Sequence, residues 1–588
     1  MHLSKLTISR FRSCLETDLT FQPDLTVLVG ENNGGKSNII DAIRLCTAPL
    51  SGRRDRYCEE EDLRLGADPA NFEIRTEFED LSATQKGLLI SAVPNPAQDR
   101  AKFGLRHEPS SAAQKRGRTS MWAGDHVGGE PEMGSTDLIR HVYLPALRDA
   151  RQALGSGGAS RIVALFRHFL TSEDEEKSLL GSVQREGKHD VLTRMNAEIE
   201  AALGELTSGV RKQAAKVNFA TTTLLDVARD LRFKLGDAGI DLGEISASGL
   251  GYANLLYIAT VAVELARARD ADLTLFLVEE PEAHLHPQLQ MLVLEFLLDQ
   301  AQKSRVQEAR AGHPEGRIQI IVSTHSPNLT AWVSPKHLVA VRSIHEPGAE
   351  GASGYSHTKC VPVAALGLTE RALGKINRYL DVSRSALLFG NRALLVEGIA
   401  EALLLPVIAR RFVLAGDRLR PAFLRFKGAV LLPIDGVDFK PYLDVLLASK
   451  NGARIADRVV VLTDADPQLD GNRKEDLDAR AAELDAAGTL HVFTNQRTLE
   501  HELFQEGNEA LLKRAFLVLH PRSETQWNQQ VGAKPEAERA DAFVKFLADR
   551  QVRKGDFAQA IATLCETENA VLQVPAYIRD AILSVSAP

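Results

Sequence analysis

The stretch Gly30-Glu31-Asn32-Asn33-Gly34-Gly35-Lys36-Ser37-Asn38 constrains this chain more than any other. It has the P-loop spacing: a glycine, four residues, then Gly-Lys-Ser. The apolar run Leu25 to Val29 precedes it, and Asn38 to Leu45 reads as a helix after it. A turn between strand and helix points backbone N–H groups into a concavity that suits phosphate. The predicted nucleotide contacts are Gly30, Asn32, Asn33, Gly34, Gly35, Lys36, Ser37 and Asn38. Lys36 is expected to reach the β- and γ-phosphates of ATP, and Ser37 to hold Mg²⁺. A glycine-rich turn without a ligand leaves the flanking strand and helix unexplained.

With 588 residues, the length prior suggests about three or four domains. The net charge of -8 means that any DNA contact needs local basic patches. The five cysteines form no CxxC pair, which points to a reducing cytosol and no zinc site. No apolar run reaches membrane-spanning length and there is no signal-peptide core, so a cytoplasmic protein without membrane contact is expected.

Along the chain, His2 to Phe11 alternates and reads as an edge strand or two. Thr17 to Phe21 and Phe72 to Phe78 continue that pattern. Residues from about 92 to 136 are rich in Pro, Gly, Ser and charge and read as a flexible loop. Its Lys115-Arg116-Gly117-Arg118 run, like Arg53-Arg54-Asp55-Arg56, is read as solvated in preference to bound to DNA. Residues about 160 to 235 show helical periodicity, and a core-packing pair and a dimerisation arm both remain open. Ser248-Gly249 precedes an apolar helix, Leu255 to Leu265. The strand Leu273 to Val278 ends in Glu279-Glu280-Pro281-Glu282, and Ile318 to Val322 ends in Ser323-Thr324-His325. Glu279 would orient Mg²⁺ or its waters, Glu280 would polarise the attacking water, and His325 would contact the γ-phosphate.

P-loop, Ser-Gly helix, Glu-Glu strand and His strand, in that order, resemble the ABC ATPase heads of chromosome-maintenance and break-repair proteins over about residues 1 to 345. The resemblance implies a head-to-head homodimer in which Ser248 and Gly249 of one subunit complete the other's nucleotide site. The segment departs from Leu-Ser-Gly-Gly-Gln. In place of a glutamine loop only Asp62, in Glu59 to Leu65, offers itself.

Residues 346 to 389 read as a linker and a helix, Arg371 to Ser383. The strand Arg392 to Val396 then ends in Glu397-Gly398-Ile399-Ala400-Glu401, and Val459 to Leu462 ends in Asp464-Ala465-Asp466. Parallel strands bring such ends to one edge, and Glu397 and Glu401, four apart, share a helix face. Two glutamates and Asp-x-Asp make a hard oxygen set suited to Mg²⁺ or Mn²⁺. Glu397, Gly398, Asp464 and Asp466 resemble the Toprim domain, over about 390 to 510, and Glu500 offers a further carboxylate. An ABC head followed by Toprim resembles the OLD (overcoming lysogenisation defect) nucleases, class 2 in particular. That resemblance implies a catalytic lysine at Lys554, in a helical region 511 to 588 that completes the nuclease site, and a Rep-type helicase partner in phage defence.

The expected architecture is therefore α/β: an ABC ATPase head with a helical insertion, a Toprim domain with a parallel sheet, and a C-terminal helical segment. The expected chemistry is metal-dependent DNA cleavage gated by ATP, with two divalent metals about 4 Å apart. A topoisomerase would need a nucleophilic tyrosine, a DNA clamp would not need the carboxylates, and a primase would be expected to carry zinc-ribbon cysteines.

Overall fold

A computed structural model describes residues 1–588 except 51–53, 55, 111–116, 147–161, most of 164–222, 232–233, 236–242, 245–249, 266–270, 284, 307–312, 348–353, 380–384, 466–472 and 569. Three sheets organise it. The first is antiparallel and holds β1 (His2–Phe11), β2 (Cys14–Thr20), β5 (Phe72–Glu79), β6 (Arg100–Glu108) and β7 (Arg118–Ala123) in the order β2-β1-β5-β6-β7. β1 is paired on both sides, so it is an interior strand and not the edge that its alternation suggests. The stretch expected to be a loop also forms structure: β6 and β7 pair across 100–123. Ala101, Phe103, Leu105 and His107 of β6 are buried, while Arg100, Lys102 and Arg106 lie half-buried on the other face and carry the charge that made it read as loop. Lys115 and Arg116 lie outside the described residues.

The second sheet holds the nucleotide motifs. It contains β3 (Leu25–Val29), β4 (Ala48–Pro49), β8 (Ile139–Leu144), β11 (Leu273–Glu279), β12 (Arg317–Thr324), β13 (Leu338–Glu346) and β14 (Tyr355–Pro362), in the order β14-β13-β3-β12-β11-β8-β4. A small pair, β9 (Lys234–Leu235) and β10 (Gly243–Glu244), stands apart. All neighbours in the large sheet are parallel except β13 and β14. β14 pairs antiparallel with β13 beyond the expected boundary at residue 345, so the head runs on to Pro362; of the expected linker, residues 348–353 lie outside the described residues. The glycine-rich composition between the two strands is also that of a linker. Alternate residues of each strand face opposite layers. Leu28, Leu275 and Ile321 pack toward the antiparallel sheet and the Lys36–Cys46 helix, while Val27, Phe276 and Val322 pack toward the Leu250–Leu265 and Pro287–Val306 helices. Of the expected helical insertion, the described residues form the helices Glu173–Val183 and Leu224–Asp230.

The third sheet is wholly parallel, in the order β16-β15-β17-β18: β15 (Arg392–Val396), β16 (Val430–Pro433), β17 (Arg458–Thr463) and β18 (Leu490–Thr494). Near-continuous apolar strands are what burial on both faces requires. Leu394, Val396, Val460 and Leu462 pack under the C-terminal helices, including Lys554–Thr567 and Ala576–Ser586. Ala393, Leu395, Val459 and Val461 join a core that continues into the head. Arg342, buried at this junction, lies 3.8 Å from Glu31 of the P-loop and 3.7 Å from Asp457, which precedes β17.

Candidate functional sites

At the end of β3 the chain turns through Gly30 (φ +149°) and Gly35 (φ +104°). A Cβ at Gly30 would lie 2.2 Å from the Val341 carbonyl oxygen, and one at Gly35 would lie 2.2 Å from Thr358 Oγ1. Thr358 Oγ1 donates to the Gly34 carbonyl (3.0 Å) and shares a 2.7 Å hydrogen bond with Ser13 Oγ. β14, outside the boundary that sequence suggested, thus braces the loop from behind. Asn32, Asn33 and Ser37 are exposed on its outer side. The Asn38 side chain turns away, donating to Ser13 Oγ (2.7 Å) and accepting from Arg12 (3.0 Å). Arg12 also binds Asp41 and the buried Asp62, so Asp62 is held in an ion-pair network behind the loop.

Lys36 is buried and donates to the carbonyls of Gly30 (2.9 Å) and Glu31 (2.8 Å), closing the loop on itself. Burial pulls its pKa down to about 8, against the pull of Glu280, Glu282 and Glu31. His325 bridges it to the acidic strand end: Nδ1 lies 3.4 Å from Lys36 Nζ, and Nε2 lies 3.5 Å from Glu280 Oε1. An ammonium only donates, so Nδ1 accepts and Nε2 carries the proton toward Glu280. Burial and then Lys36 lower the His325 pKa, which favours the neutral imidazole. Glu280 holds a left-handed backbone (φ +44°), a conformation that costs a non-glycine residue energy and aims its carboxylate at the histidine. Glu279 takes a hydrogen bond from the Ser37 hydroxyl, and burial, then Asp41, raises its pKa. Ser37 and Glu279 are thereby brought together as a Mg²⁺ site requires.

One residue that sequence left without a role emerges here. Glu282 Oε1 accepts from Thr324 Oγ1 and from the His325 N–H, both at 2.7 Å, and so fixes the histidine. Its Oε2 is buried without a hydrogen-bond partner. Ser248 and Gly249 lie outside the described residues.

The second site lies at the C-terminal edge of the parallel sheet. Glu397 follows β15, and its Oε1 accepts from Asp464 N–H (2.7 Å), Arg473 Nη1 (2.7 Å) and the Thr463 hydroxyl. Glu401 stands one turn further on in the Ile399–Ile408 helix, where burial, with Glu500 and Glu397 nearby, raises its pKa. Burial, then the Glu397 charge, pushes Asp464 up to about 7. Glu500 is buried in the helix Leu499–Gln505, which Thr498 caps. Lys554, at the first position of the Lys554–Thr567 helix, lies 3.7 Å from Glu500. A Cβ at Gly555 would meet Ile399 at 3.2 Å, so glycine lets this helix start close to the carboxylates. Burial acts to lower the Lys554 pKa, but Glu500, Asp464, Glu401 and Glu397 outweigh it and raise it.

Burial and like charge raise the pKa of Glu401 and push Asp464 up to about 7, a repulsion that a divalent cation relieves, and the oxygen set fits a hard one. Among the described residues, no three His, Cys, Asp or Glu side chains are gathered into a ready-made cage, and Asp466 lies outside them. Arg473, which occupies one oxygen of Glu397, has no motif around it and was not legible as part of the site.

Family models described as an AAA domain and an AAA ATPase domain match residues 5–109 and 146–330, and one described as the overcoming lysogenization defect protein-like TOPRIM domain matches residues 388–466. The Old nuclease of Escherichia phage P2 is 25% identical over 72% of this chain and 72% of its own. Endonuclease GajA of Bacillus cereus is 20% identical over 76% of this chain and 73% of its own. Among solved structures, the C-terminal region of the Burkholderia pseudomallei OLD protein covers 34% of this chain and 97% of its own, with 27% identity and a TM-score of 0.25. Among the described residues, no helix is long and apolar enough to cross a membrane.

Proposed function

We propose that this chain, which joins an AAA-type ATPase region to an OLD-like Toprim region, is an ATP-controlled, divalent-metal-dependent DNA endonuclease. The observation that supports the reading is that Glu397, Glu401 and Asp464 follow neighbouring strands of one parallel sheet, with Lys554 paired to Glu500 and held charged by all four carboxylates. Endonuclease and nuclease relatives that span most of the chain support it.

Glu397, Glu401 and Asp464 would hold Mg²⁺ or Mn²⁺, with Asp466 and Glu500 as further ligands. Two such ions, when bound, would supply an activated water and neutralise charge on the departing oxygen. The chain's own part is positional and electrostatic. The ammonium of Lys554 offsets charge on the phosphate in the transition state. Arg473 fixes one oxygen of Glu397, which orients the other. At the head, the P-loop N–H groups and Lys36 bind the phosphates of ATP, Ser37 and Glu279 hold Mg²⁺, Glu280 orients the attacking water, and His325 senses the γ-phosphate. The likeness to ABC heads extends the proposal to a homodimer through the heads and helical insertion, with Ser248 and Gly249 acting across it. A cytoplasmic role in phage defence or DNA repair, alongside a Rep-type helicase, belongs to the same proposal.

Tyr577 reaches the carboxylate cluster, which gives a topoisomerase reading a specific residue. Its ring is partly buried and its hydroxyl is engaged by Asn495, whereas a nucleophile must be free to attack the phosphate. Incubating supercoiled plasmid with the protein in Mg²⁺, Mn²⁺ or Ca²⁺, with and without ATP, separates the readings. Nicked or linear product is expected. Relaxed topoisomers with a denaturant-stable protein–DNA adduct would replace the nuclease by a topoisomerase.

A further inference from the structure

Asn495, the residue after β18, is 5% exposed. Its Oδ1 accepts the Ala465 N–H at 3.1 Å, and its Nδ2 donates to Asp464 Oδ1 at 2.5 Å. A backbone N–H can only donate, so the Ala465 contact settles which way round the amide lies. The oxygen must face Ala465, and the donor must therefore face Asp464. The Tyr577 hydroxyl hydrogen-bonds the same amide, and its ring lies close enough to feel the charges of Asp464, Glu401 and Glu502.

Tyr577 is itself anchored. It sits in the first turn of the Ala576–Ser586 helix, whose far end is gripped by three arginines. Arg392 donates to the Val585 carbonyl (3.0 Å), Arg425 to Ser586 (2.7 Å) and Arg458 to Ser584 (3.1 Å). Cations at a helix C-terminus satisfy its free carbonyls and its dipole. Arg392 and Arg458 open β15 and β17, the strands whose opposite ends carry Glu397 and Asp464. One helix therefore runs between the two edges of the sheet, tied to both.

We infer that Asn495, backed by Tyr577, is a positioning residue for Asp464: its neutral amide donor holds Oδ1 and leaves the other carboxylate oxygen for a divalent cation. The inference rests on the nuclease reading above. A neutral amide suits this place because a cation there would compete with the metal and a carboxylate would add repulsion. Removing such a partner of a metal ligand typically weakens metal affinity by about 10–100-fold.

The test measures Mn²⁺ binding by electron paramagnetic resonance alongside plasmid cleavage across a Mn²⁺ titration, in the full chain. Asn495→Ala is expected to weaken Mn²⁺ binding about tenfold or more, with cleavage recovering at high Mn²⁺ and ATP hydrolysis unchanged. Tyr577→Phe, which keeps the ring packing, is expected to give a smaller loss of the same kind. Wild-type Mn²⁺ affinity in both variants, or a cleavage defect that saturating Mn²⁺ does not restore, would overturn the inference. A wild-type protein that neither binds Mn²⁺ nor cleaves would instead overturn the nuclease reading, and this inference with it.

Discussion

Metal binding at the parallel-sheet edge should displace a proton, and Asp464 sets the pH at which it does so. An ordinary aspartate titrates near 3.8, whereas Asp464 titrates near 7, with burial as the main cause and Glu397 next. Holding it ionised at the protein's expense therefore costs about 4 kcal/mol, at roughly 1.4 kcal/mol per pKa unit. A carboxylate must be ionised to bind a cation, so binding at pH 6 begins from the protonated acid. Calorimetry of Mn²⁺ binding in buffers of different ionisation enthalpy should show about one proton released at pH 6 and almost none at pH 8. Affinity should rise about tenfold per pH unit up to about pH 7 and then level off. Stability without metal carries the opposite trend. The folded state holds this proton to higher pH than the unfolded chain does, so the Asp464 contribution is greatest at low pH and is lost as pH rises from about 4 to about 7. The refuting result is specific: a wild-type protein that releases no proton at pH 6, or an Asp464→Asn variant that releases as many as the wild type.

Other outcomes follow from the same contacts. Lys36 loses its proton near pH 8 without nucleotide, while bound phosphates would hold it charged, so ATP affinity should fall as pH rises above about 8. Fluorescent-nucleotide titrations at pH 7, 8 and 9 would show this, and Lys36→Ala should abolish binding. Glu280→Gln should cut ATP turnover by about 10²–10⁴-fold while leaving nucleotide affinity nearly intact, as single-turnover assays would read. Thr358→Val removes the hydroxyl that holds Gly34 and Ser13, and should destabilise the head by about 1–3 kcal/mol in denaturant unfolding.

How much of this was legible in sequence depended on whether a signal was local. The P-loop, the Glu279-Glu280 strand end, His325 and the strand ends at Glu397 and Asp464 all announce themselves, because an apolar run stops at a chemically distinctive residue. β6 did not, because Arg100, Lys102 and Arg106 swamp the alternation of its inward side chains. β14 did not, because the glycine-rich sequence before it has a linker's composition, although Thr358 lies close against Gly35. Glu282 was visible, but its hold on His325 joins residues 43 apart. Arg473 and Asn495 hold carboxylates distant in sequence, Tyr577 holds Asn495, and nothing in their neighbours marks them. What sequence missed is mainly the set of side chains that hold the functional residues in place.

Lys36, the proposed seat of nucleotide binding, and Asp464, the proposed seat of phosphodiester cleavage, follow strands of separate sheets of one chain. The most direct measurement assays the Asp464→Ala variant twice, for cleavage of supercoiled plasmid in Mn²⁺ and for ATP hydrolysis. Cleavage should be lost while ATP hydrolysis continues. Plasmid cleavage by Asp464→Ala at the wild-type rate would contradict that assignment.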